Sequence, residues 1–95
     1  MRTSYRIIGI KHNGRKGVRD TPVEDVKYGD IIGSKIILEV DRIEQYKPVH
    51  FTMINHPYYD WWDTSALLAM WKNKINENLY LETANTIYEL QKIKD

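Results

Sequence analysis

The chain is 95 residues long, carries 14 basic and 13 acidic residues, and contains no cysteine. That length fits a single domain, residues 1–95, and the missing cysteine excludes disulfide frameworks and thiolate metal sites. No run approaches the roughly 18 apolar residues of a membrane span, and the start is too short in apolar residues for a signal-peptide core, so a cytoplasmic location is expected.

The net charge of +1 is unevenly spread. Residues 1–19 hold Arg2, Arg6, Lys11, Arg15, Lys16 and Arg19 with no acid, and the remainder is acidic overall. A basic end on a nearly neutral chain points to an anionic partner or to an acidic surface on a second subunit; a solvated basic loop is the plain alternative.

Residues 4–11, rich in isoleucine, read as a first strand. Asn13-Gly14 marks a tight turn, and Gly14 and Gly17 around Arg15 and Lys16 make a basic loop. Thr21-Pro22-Val23-Glu24 has the form of a capping box with proline at the first helical position, which predicts a short helical turn ending near residues 28–30. Residues 31–43 alternate from Leu38 onward, with Leu38, Val40 and Arg42 on one face, so they read as a strand with Gly33 marking a bulge. Residues 48–54 alternate again, with Val49, Phe51 and Met53 on one side. Residues 56–63 form an irregular aromatic connection. Residues 63–71 fit either a helix capped by Asp63 or a strand. The polar stretch 72–78, with three asparagines, suits a hairpin loop. Residues 79–83 and 86–90 read as strands about an Ala84-Asn85 turn, with an amphipathic helix over 80–92 as the competing reading.

The expected fold class is therefore mainly β (β-rich α+β): a small barrel-like or curled antiparallel sheet with one short helical element. Closing the sheet removes exposed edges. Pairing edges across subunits does the same, and the core of so short a chain is small, so a homo-oligomer is also expected.

Three groups of residues could carry chemistry. The loop from Lys11 to Arg19 combines glycines with cations, as phosphate-binding loops do, but matches neither a P-loop nor a dinucleotide fingerprint; a plain hairpin loop is the alternative. Tyr58, Tyr59, Trp61 and Trp62 crowd one loop and cannot all face the same way. An exposed ring among them would stack a base for about 1–3 kcal/mol, whereas buried ones plug the core or an interface. His50-Phe51-Thr52 resembles one half of the paired motif of two-histidine phosphoesterases, and no second His-x-Thr or His-x-Ser exists, because His12 and His56 are followed by other residues. Asp60 and Asp63 could pair as carboxylates or simply shape turns, and Ser65 lacks the context of a nucleophile. With three scattered histidines and no HExxH spacing, no metal site and no cofactor are expected.

Residues 63–90 resemble a pattern of small phage-encoded β-rich proteins. Thr64-Ser65 opens one strand, and Thr83-Ala84-Asn85-Thr86-Ile87-Tyr88 crosses into the last. The resemblance moves 64–71 toward strand. It is similar to compact phage proteins that sequester nucleotide immune signals, such as Thoeris and CBASS inhibitors. It implies matching positions at Thr83, Asn85 and Tyr88, with the Asn85 amide reading a base edge or ribose; a turn residue is the alternative there. Taken with the basic loop and the aromatics, it implies a phage-type binding protein, not an enzyme. Such a protein would sequester a cyclic or phosphorylated nucleotide in the host cytoplasm. Lys11, Arg15, Lys16 and Arg19 would hold phosphate, and one of Tyr58, Tyr59, Trp61 and Trp62 would stack the base. The alternative is a protein- or nucleic-acid-binding inhibitor that blocks a partner surface, for example on a host defence protein. Catalysis across subunits through His50 is the remaining expectation.

Overall fold

Buried apolar residues recur along most of the strands, and seven strands form among the described residues. The computed structural model describes residues 2–13, 19–22 and 26–93. Strand β1 (Arg2–Asn13) runs into β2 (Arg19–Pro22), the short helix α1 (Val26–Ile31) and β3 (Lys35–Glu39). A 3-10 turn, Val40–Arg42, leads to β4 (Pro48–Met53), β5 (Trp61–Lys72), β6 (Leu79–Thr83) and β7 (Thr86–Lys92). Neighbours pair in the order β2-β1-β3-β4-β5-β6-β7, and β1 also pairs with β7. All pairings are antiparallel. Six strands thus close into a small barrel with one short helical turn, and β2 extends β1 as a ribbon.

The core is the barrel interior. Ile7 and Ile10 of β1, Ile36 and Leu38 of β3, Val49, Phe51 and Met53 of β4, and Leu81, Tyr88 and Leu90 of β6 and β7 are buried there. Phe51 meets the ring of Tyr88 edge-on, centroids 5.5 Å apart, a favoured aromatic geometry. The strands expected over 48–54, 79–83 and 86–90 form at 48–53, 79–83 and 86–92. Residues 64–71 are strand, which settles the choice between helix and strand.

Three expectations are corrected. The alternation from Leu38 to Arg42 does not continue as strand: β3 ends at Glu39, and Ile43 N–H closes the 3-10 turn on the Val40 carbonyl at 3.3 Å. Turning there lets Val40 and Ile43 both pack against the core, which a continued strand would forbid because it places them on opposite faces. Gly33 marks no bulge. It follows α1 at φ +89°, and its N–H bonds the Ile7 carbonyl at 2.7 Å; glycine reaches that left-handed conformation without strain. The helix begins at Val26 rather than at the capping box, since Thr21 and Pro22 belong to β2. No described helix is long and apolar enough to cross a membrane.

Candidate ligand-binding site

The chain leaves β4 and reverses through Asn55, whose φ of 55° lies in the left-handed region that asparagine tolerates. His56 then organises the loop. Its Nε2–H donates to the Asp30 carbonyl at the end of α1, 2.7 Å away, while its Nδ1 accepts from the backbone N–H groups of Tyr58 and Tyr59 at 3.0 and 3.1 Å. Two donors converging on Nδ1 require the neutral Nε2–H tautomer.

This latch sorts the aromatics. Tyr59 and Trp62 turn toward the core, their rings edge-to-face at 5.5 Å, and Trp62 Nε1–H donates to the Tyr88 hydroxyl at 3.3 Å. Tyr58 and Trp61 turn outward and are 76% and 58% exposed. Residues 58–63 line an open cleft of about 500 Å³. Tyr58 is also a wall of a second cleft, of about 440 Å³, shared with Arg6, Asp30, Lys35, Asn55 and His56. Arg6 and Lys35 are cross-strand partners on β1 and β3. Arg6 Nη1–H bonds the Gly33 carbonyl at 2.6 Å, which takes one of its five N–H groups. A ring thus stands between an aromatic cleft carrying Asp60 and Asp63 and a cleft carrying two cations and one carboxylate.

On the outer face of β4 and β5, His50 Nδ1 lies 2.7 Å from Asp63 Oδ1, and its ring stacks on Trp61 with centroids 6.1 Å apart. Thirteen residues separate His50 from Asp63, and only the β4–β5 register brings them together. Among the described residues no three His, Asp or Glu side chains are placed to share a metal ion.

The residues expected to act together are divided. Lys11 is exposed on β1, opposite Ile87 of β7, and Asn85 is exposed in the β6–β7 turn, where its carbonyl accepts from Asn13 N–H. Neither lines the two clefts. In the barrel order, two strands separate β1 from β5 in either direction. Arg19 lies in β2, opposite Asn13; Arg15 and Lys16 fall outside the described residues. Arg6 and Lys35, which do stand beside Tyr58, were not singled out by the sequence. Arg6 was one of six N-terminal cations, and nothing linear connects it to residue 35.

Comparison of the chain with family models, with curated proteins and with solved structures finds no match.

Proposed function

We propose that the protein is a non-catalytic binder of a phosphorylated or cyclic nucleotide. The observation that carries this reading is the exposed Tyr58 ring, held by the His56 latch between the aromatic cleft and the Arg6–Lys35 cleft. A base stacks on an aromatic face with little regard to its identity, and paired cations favour a phosphate beside it. The phage-type resemblance of residues 63–90 supports sequestration of such a ligand as the biological role.

A thermal-shift panel of cyclic dinucleotides, cyclic ADP-ribose isomers, mononucleotides and short oligonucleotides tests this. A ligand at 100 times its dissociation constant adds about 2.7 kcal/mol to stability. Tyr58→Ala is expected to weaken binding by about 1–3 kcal/mol, and Arg6→Ala with Lys35→Ala to weaken it further. A panel with no shift in any class sinks the proposal.

A second reading has its own observation. Met70, Trp71 and Ile75 are exposed along the β5–β6 hairpin, Ile75 at 95%. Exposed apolar side chains along a hairpin favour a protein partner. Ile75→Asp would then abolish a complex recovered from host lysate without touching nucleotide binding.

A further inference from the structure

Strand β5 changes partners halfway along. Its first half pairs with β4 up to Ala66, and its second half pairs with β6 from Leu67 to Lys72. On the side away from β6, the loop after the 3-10 turn covers β5 only as far as Leu68. Tyr46 N–H donates to the Leu67 carbonyl, Leu67 N–H to the Lys47 carbonyl, and Gln45 Nε2–H to the Leu68 carbonyl. Beyond Leu68 no described strand pairs with β5 on that side, and Ala69, Met70, Trp71 and Lys72 are all exposed. We propose that this stretch is an open sheet edge that pairs with itself: a second copy of the chain adds antiparallel, across a two-fold axis at Met70.

The ladder fixes which backbone groups are free. Asn73 N–H donates to the Asn78 carbonyl at 2.9 Å, so these two residues form a hydrogen-bonded pair. Along an antiparallel ladder such pairs alternate with non-bonded ones. Trp71 and Ala69 therefore direct their backbone groups to Tyr80 and Glu82, while Met70 and Lys72 turn theirs away from β6. Outward N–H and C=O groups at alternate residues are a template for another strand. The side chains select a second copy as that strand. A two-fold axis at Met70 sets Met70 against its counterpart, Trp71 against Ala69, and Lys72 against Leu68, whose carbonyl keeps a lone pair beside its bond to Gln45. One face of the Trp71 ring lies on Tyr80, with planes 3° apart, and the other is turned away from β6. The Ala69 methyl opposite leaves room for that ring. Pairing thus covers Met70 and Trp71, which are 43% and 42% exposed in the single chain. The edge carries its large and its small residue at the spacing that self-pairing requires.

Sedimentation of the full chain from about 1 μM to about 1 mM is expected to show a reversible monomer–dimer equilibrium, weak because the shared edge is short. Amide exchange over the same range separates the groups. Ala69 and Trp71 should be protected at every concentration, whereas Met70 and Lys72 should gain about tenfold in protection only as the dimer forms. Met70→Pro removes the central donor without breaking a β5–β6 bond. Ala69→Lys fills the space that Trp71 needs and faces Glu82 on β6. Each should weaken self-association by about tenfold or more. The natural chain has no cysteine, so single-cysteine variants report the register on oxidation. Met70→Cys should link two copies, because hydrogen-bonded partners hold their Cα atoms about 5.5 Å apart, within disulfide reach. Lys72→Cys should not, since its counterpart lies about 14 Å along the strand. Tyr58→Ala should leave the dimer unchanged. A chain that stays monomeric at about 1 mM, self-association untouched by both Met70→Pro and Ala69→Lys, or linkage through residue 72 in place of 70 would each overturn the proposal. A monomer that still forms an Ile75-dependent complex would overturn it too, while leaving the hairpin's partner-binding reading intact.

Discussion

At the scale of single residues, His56 determines how the aromatic loop is presented. Its Nδ1 is the acceptor for two consecutive backbone donors, so removing it leaves both without their partner. His56→Ala is expected to destabilise the fold by about 0.5–1.5 kcal/mol and to speed amide exchange at Tyr58 and Tyr59 more than elsewhere. Unchanged protection in the variant would show that the loop holds its shape by packing alone. That Tyr58, Tyr59, Trp61 and Trp62 would divide between core and surface was legible, because adjacent aromatics in one loop cannot all face the same way. Which rings would face outward was not. That depends on His56 reaching a carbonyl in α1, 26 positions earlier. Charge density along the chain favours residues 11–19, whereas cross-strand register places Arg6 and Lys35 in the cleft beside Tyr58.

At the scale of elements, irregular strands explain where sequence periodicity lost its force. The pairing of β1 with β7 shifts between Ile7 and Gly9. That shift lets Ile7 and Ile10, three positions apart, both enter the core. Strand β5 is displaced twice, once against β4 and once against β6, so Thr64 and Leu67 are both buried. A three-residue spacing is what a helix would show, and this is why residues 63–71 read as either. Regular β4, by contrast, was readable directly. The β5–β6 pairing also makes a pH-dependent contribution. Tyr80 stacks on Trp71 with planes 3° apart. Its phenol is held above the ordinary tyrosine range by desolvation and by a hydrogen bond to Glu89. The protonated phenol is thus the form favoured by folding. Its stabilisation is complete below the unfolded tyrosine value of about 10 and is lost as pH rises beyond it. Urea unfolding measured from about pH 9 upward should show stability declining past about pH 10. Tyr80→Phe keeps the stack and should lessen the decline, with Tyr5, also raised by burial, accounting for part of the remainder.

At the scale of the molecule, the barrel is closed within one chain by β1 and β7. Its interior is held by a few large side chains, and Phe51 is fully buried against Tyr88. Phe51→Ala should cost about 3–5 kcal/mol, a large share of the roughly 5–15 kcal/mol that a small domain possesses. A fall of that size in urea midpoint with an unchanged slope is expected, and a loss below about 1 kcal/mol would mean that the interior refills the space. The closing seam has a further consequence, in time rather than in energy. Tyr5 meets Lys92 and His12 meets Thr86, so the seam joins the first strand of the barrel to its last. Contacts between such distant positions form slowly, because the long intervening loop must close first. During synthesis β1 can join β3, but the β7 side of β1 stays open until translation reaches residue 92. Closure of the barrel therefore waits until β7 has been made, and until then the nascent chain presents an unpaired strand edge to its surroundings.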